Sequence, residues 1–153
     1  MTEQPEPAEP SDLAPATPVP IIDEDRLSRG AAVFEEVYGG VIPAPPPGLL
    51  DFADVMLGPL FAEQWARPQL ARRDRRLLTL ATIAAVGDAD TWAIHLEAAV
   101  RNGELTPVEA RETVIHLAAY VGYPRASPLL LKTEEILGRI ERDTAPEPAP
   151  DTP

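Results

Sequence analysis

Residues 72–86 read RRDRRLLTLATIAAV, and the fold class turns on this stretch. From Leu77 onward its apolar residues, Leu77, Leu78, Leu80, Ile83 and Val86, fall on almost every side of a helix. A helix that is apolar all round must be buried on all sides. In so small a domain, part of that burial is expected to come from another subunit. Upstream, Leu27, Ala31, Phe34 and Tyr38 recur at i, i+4, i+7 and i+11, an amphipathic helical stripe that Gly39-Gly40 ends. The segment from Pro43 to Gly48 reads as a rigid loop. Leu49 to Ala66 then reads as a second helix, with Gly58-Pro59 as the place where it would break. Downstream, a fourth helix runs from about Asp90 to Asn102 and closes at Gly103. The fifth opens on a clear signal: Thr106 as N-cap, Pro107 at the first helical position and Glu109 completing a capping box. It ends near Gly122. The last begins around Pro124 and runs to about Arg142, and Pro128 in its first turns predicts an irregular start or one delayed to Ser127-Pro128. No segment alternates with period two for long enough to be a strand. The expectation is an all-α, single-domain bundle of about six helices.

Composition narrows what such a bundle can do. The chain of 153 residues suits one domain. Cysteine is absent, which excludes disulfide scaffolds, thiolate metal sites, Cys nucleophiles and CxxC redox chemistry, and fits a reducing compartment. Met1 to Pro20 has neither a basic n-region nor an apolar h-region, and no stretch approaches the ~20 apolar residues that span a bilayer. The expected location is therefore the cytoplasm, with no membrane partner. A net charge of −12 argues against nucleic acid. Seven of those excess negative charges sit in the ends: Glu3, Glu6, Glu9 and Asp12 in residues 1–20, and Asp143, Glu147 and Asp151 in residues 143–153. Both ends repeat Pro, Glu and Ala (PEPAEP at 5–10, APEPAP at 145–150) and are expected to be disordered, acting as solubilising ends or docking peptides. Residues 21–142 form the expected folded body.

Chemistry here must rest on histidine, carboxylate and arginine. His95 shares a helix face with Trp92, Leu96 and Ala99. It reads either as a core histidine bonded to a backbone carbonyl or as a general acid/base. His116 lies between Glu112 and Tyr120 at i−4 and i+4, a polar stripe compatible with structural or inter-subunit bonding as well as with a site. Five arginines, Arg67, Arg72, Arg73, Arg75 and Arg76, crowd ten residues of an otherwise acidic chain. Cations near a helix N-terminus cost roughly 0.3–1 kcal/mol each, so helix electrostatics do not explain them. Inter-subunit salt bridges or a carboxylate-binding site using the guanidinium fork remain. Neither a metal-ligand spacing nor a glycine-rich phosphate loop is present.

A collinear series of short motifs carries a resemblance. Arg29-Gly30 with Val37-Tyr38-Gly39, Trp65-Ala66-Arg67-Pro68, Arg73-Asp74-Arg75, Leu78-Thr79-Leu80-Ala81, His95-Leu96, Asn102-Gly103 and the run from His116 to Pro124 resemble, in order and spacing, the carboxymuconolactone decarboxylase family over roughly residues 26–137. Relatives similar to alkylhydroperoxidase D carry Cys-x-x-Cys-x-x-x-His. If His95 is that histidine, the cysteine positions hold Asp88 and Thr91, and the glutamate those relatives place about 19 residues earlier falls on Arg76. Thiol peroxidase chemistry is therefore not expected, and the decarboxylase branch fits better. That resemblance implies an all-α bundle assembling as a homo-oligomer, a trimer or hexamer.

It also implies a cofactor-independent removal of CO2 (or an isomerisation) from a carboxylated lactone such as 4-carboxymuconolactone, an acid of aromatic-compound breakdown. On that reading His95 is the proton donor, Arg72 and Arg75 bind the anionic substrate, and Glu63 orients or deprotonates a neighbour. Trp65, His116 and Tyr120 line the pocket, and no metal takes part. Another small-molecule hydrolase or tailoring enzyme on the same scaffold, and a non-catalytic oligomeric interaction module, stay open beside it.

Overall fold

α1 (Glu24–Tyr38) starts where the Asp23 carboxylate accepts the Arg26 backbone N–H at 2.9 Å. Glu24 and Asp25 in its first turn suit the positive helix end. It stops at Gly39, whose φ of 56° is the left-handed conformation glycine adopts without strain. The computed structural model describes residues 22–145. The Pro-rich ends therefore lie outside the described residues, apart from Asp143 to Ala145.

After the proline loop, α2 (Asp51–Val55) passes without interruption into a π-helical stretch, Met56–Trp65, that carries Gly58 and Pro59. The break expected at Gly58-Pro59 is absent. The helix widens instead, because a π turn shifts the carbonyl that a proline ring would strike in an α-helix. Packing on α1 holds the wide stretch in place. A Cβ on Gly30 would lie 2.0 Å from the Leu57 carbonyl oxygen, and one on Gly58 would lie 2.5 Å from Ile22 Cδ1.

Four helices follow: α3 (Arg72–Val86), α4 (Ala89–Arg101), α5 (Pro107–Val121) and α6 (Tyr123–Thr144). The capping box of α5 is formed: Thr106 Oγ1 accepts the Glu109 N–H at 3.2 Å and Glu109 Oε2 accepts the Thr106 N–H at 2.8 Å. α6 differs from expectation at both ends. Its start is not delayed, and Pro128 sits in regular helix. Ser127 Oγ donates to the Tyr123 carbonyl at 2.8 Å, and Pro124 and Pro128 face solvent, where an unpaired carbonyl costs little. At the far end the helix continues through Asp143 to Thr144, and Asp143 accepts from Arg101 Nη2 at 2.7 Å.

All regular structure among the described residues is helical, as the sequence implies. The core has two parts sharing α4. Trp92, Leu96 and Ala99 join side chains of α3, α5 and α6, while Ala98 closes the cluster of α1 and the π stretch around Phe34, Leu57 and Phe61. Trp92 Nε1 donates to the wholly buried Thr133 Oγ1 at 3.1 Å. Within one chain the burial of α3 is one-sided: Leu80 and Ala84 are sealed, but Leu78 is 62% and Val86 74% exposed. No helix among the described residues is long and apolar enough to cross a membrane.

Candidate active site

The seam between the two core clusters is polar. Arg76, in the second turn of α3, has no exposed surface at all. Its Nε and Nη2 grip Glu104 at 2.8 and 3.2 Å, and Nη2 also donates to the Val37 carbonyl. Its guanidinium lies 5.2 Å from the Trp65 ring, a cation–π contact. Nη1 meets His95 Nδ1 at 2.9 Å, and His95 Nε2 meets the Tyr38 hydroxyl at 3.2 Å. Four segments thus converge: α1 through Tyr38, α3 through Arg76, α4 through His95, and the turn after α4 through Glu104.

Local sequence explains the convergence. Asn102 Nδ2 donates to the carbonyls of Glu36 and Val37 at 3.0 and 3.1 Å, clipping the end of α1 to the end of α4. A Cβ on Gly39 would lie 2.2 Å from Asn102 Oδ1, so the left-handed glycine also supplies room for the clip. Glu104 then points its carboxylate back at Arg76. Phe61 and Trp65 stack almost parallel at 6.4 Å on the π stretch, and Tyr38 packs on Phe34 and Phe61 at 4.5 and 5.9 Å.

Electrostatics follow from this burial. Desolvation, reinforced by the Arg76 charge, pushes His95 down to about 4, so the ring is neutral at neutral pH. Burial pushes the Tyr38 phenol up, and the Arg76 charge only partly opposes that.

The other sequence-named residues are spread wider. Trp65 belongs to this cluster. Arg75 borders a pocket of about 190 Å³ with Trp65, Gln64, Thr79, Leu60 and Leu78. Its Nη2 donates to the Arg67 carbonyl at 2.8 Å, while its Nε is buried without a partner among the described residues. Arg72 is held by Glu36 at 2.5 Å and Glu63 by Arg26, both exposed pairs that tie down α1. His116 and Tyr120 pack with their rings tilted, centroids 5.1 Å apart, along the exposed face of α5. His116 borders a separate cleft of about 400 Å³ between α3 and α5, with Arg73, Leu77, Glu109, Glu112 and Leu117. The structure therefore groups His95 with Trp65, sets Arg75 on a neighbouring pocket that Trp65 also lines, and leaves His116 and Tyr120 elsewhere.

The arginine cluster also finds uses that the sequence reading did not consider. Arg72, Arg73 and Arg76 pair with Glu36, Glu109 and Glu104 of the same chain. Sequence reasoning missed Tyr38 and Glu104 as polar partners. Arg76 had a signal, since it stands where thiol relatives carry glutamate. Among the described residues no group of three or more His, Asp or Glu is placed to hold a metal ion.

This all-α scaffold with a buried histidine now meets its relatives. The carboxymuconolactone decarboxylase family model matches residues 51–135, and the chain belongs to that family. The 4-carboxymuconolactone decarboxylase of Acinetobacter baylyi is 34% identical over 119 residues, covering 74% of this chain and 88% of that protein. The nitrosuccinic acid decarboxylase of Metarhizium robertsii is 36% identical over 73 residues, 48% of this chain and 50% of that protein. No solved structure matches.

Proposed function

We propose that this protein is a cofactor-independent decarboxylase of a compact carboxylated substrate, a lactone such as 4-carboxymuconolactone, with His95 at the centre of its proton chemistry. The observation that carries the reading is the buried chain Glu104–Arg76–His95–Tyr38, which presents a neutral imidazole and a neutral phenol beside an aromatic wall. Decarboxylation of an unsaturated lactone needs an anion held in place, a developing enolate stabilised, and one proton delivered to carbon. Hydrogen-bond donors in a water-poor site serve the last two tasks.

Arg75 is the best-placed anion ligand, because its buried Nε lacks a partner and it borders the pocket walled by Trp65. At about 190 Å³ that pocket is small beside the ~300–1,000 Å³ typical of drug-sized ligands, which favours a compact acid. Arg72 and Glu63 would reach a substrate only by releasing Glu36 and Arg26. His116 and Tyr120 would serve a substrate only from the second cleft, or across a subunit boundary. Assembly into a trimer or hexamer belongs to this proposal. The exposed Leu78 and Val86 on α3, and Phe52 at 82% exposure on α2, support it.

Incubation with 4-carboxymuconolactone tests the reading. Loss of the substrate's ultraviolet absorbance with matching CO2 release is expected. An intact lactone, or hydroperoxide consumption with a thiol reductant, would overturn it.

A further inference from the structure

We infer that Arg76 sets the direction of hydrogen donation in the buried chain, and that the hydrogen offered to a bound substrate is that of the Tyr38 hydroxyl, with His95 Nε2–H donating to the phenol oxygen. The reaction this serves rests on the decarboxylase reading above; the direction rests on geometry. A guanidinium has donors and no acceptor. With Arg76 Nη1 at 2.9 Å, His95 Nδ1 must therefore accept. The ring hydrogen is then on Nε2, where it points at Tyr38 Oη 3.2 Å away. The hydroxyl oxygen accepts, and its own hydrogen has no acceptor among the described residues. Arg76 is pinned by Glu104 and the Val37 carbonyl, so it cannot swing away to let the order reverse. The polar groups around the ring are Tyr38 from α1, Arg76 from α3 and, through Arg76, Glu104 from the turn after α4.

The step balances. The bond from carbon to the leaving carboxylate breaks, CO2 departs, and the electron pair enters the unsaturated lactone as a dienolate. Carbon takes the Tyr38 proton. The phenolate left behind is held by His95 Nε2–H, as an oxyanion is held by fixed donors, and regains its proton from water. Tyr38 is thus a catalytic donor and Arg76 a positioning residue. The stripe Leu27, Ala31, Phe34, Tyr38 marked Tyr38 only as a core residue.

Nitrogen-15 NMR on the full chain, labelled at its two histidines, tests the direction without any substrate. The His95 signals are expected to show a protonated Nε2 and a bare Nδ1 from pH 5.5 to 8. A proton on Nδ1, or imidazolium at pH 7, overturns the inference. The double variant Arg76→Met with Glu104→Leu removes the ion pair as a unit and should give mixed tautomers. An unchanged tautomer there would remove Arg76 from its positioning role.

Turnover of 4-carboxymuconolactone tests the destination. Tyr38→Phe should lose about fiftyfold in kcat with KM within about threefold, while His95→Ala loses at least about a hundredfold. His95→Gln, whose amide can accept from Arg76 and donate to Tyr38, should stay within about tenfold of the native rate. Full activity of Tyr38→Phe beside an inactive His95→Ala sinks the role of Tyr38 and leaves the decarboxylase standing. A native protein that leaves the lactone intact sinks the functional reading and with it the proton's destination, and the tautomer still decides the direction of donation.

Discussion

His95 links pH to stability. Its folded value of about 4 lies below the ordinary value of 6.5, so between those limits the unfolded chain binds more protons than the folded one. Stability is therefore complete above pH 6.5 and falls as pH drops toward 4, by about 2 kcal/mol between pH 7 and pH 5. Urea unfolding at the two pH values should show that loss in the native protein and little of it in His95→Gln; equal losses in both would assign the titration elsewhere. Arg76 makes a second prediction at this scale. Removing one partner of a buried ion pair strands the other, so Arg76→Ala should cost roughly 3–5 kcal/mol in urea. The exposed Arg111–Glu134 pair should contribute less than about 1 kcal/mol. The sequence placed His95 on an inward face but could not supply its partners. Arg76 and His95 are 19 residues apart, and His95 and Tyr38 are 57 apart. Neither separation leaves a periodic trace, because the contacts come from helix packing and not from one helix.

At the scale of elements, periodicity and capping carried most of the information. Six helical segments and the Thr106 capping box were legible because each depends on neighbours within a few residues. Thr106→Ala should cost about 1 kcal/mol, read as a lower urea midpoint with unchanged slope. The two prolines were misleading, since Pro59 widens a helix and Pro128 rides inside one. What decides both is the surroundings: a tight crossing on α1 for the first, solvent for the second. That crossing predicts a larger effect for Gly30→Ala than for Gly58→Ala. The new methyl at Gly30 strikes backbone and forces α1 off the π stretch, costing about 2–3 kcal/mol or more, whereas at Gly58 it meets a movable isoleucine side chain. A Gly30→Ala protein as stable as the native one would contradict the crossing.

For the whole molecule, α3 was expected to be buried on all sides, and within a single chain its burial is one-sided. Leu78 and Val86 are largely exposed in the single chain, and the proposed oligomer would cover them. Light scattering at micromolar concentration should give a mass that is a multiple of the single chain's, and Leu78→Glu should lower it. A stable native monomer would remove that proposal. The proposed function, by contrast, rests on a few buried atoms. The most direct measurement is turnover of 4-carboxymuconolactone by the native protein and by His95→Ala side by side, with circular dichroism confirming helix in both. The account predicts CO2 release by the native protein and at least about a hundredfold less by the variant. Equal rates from the two proteins would contradict it.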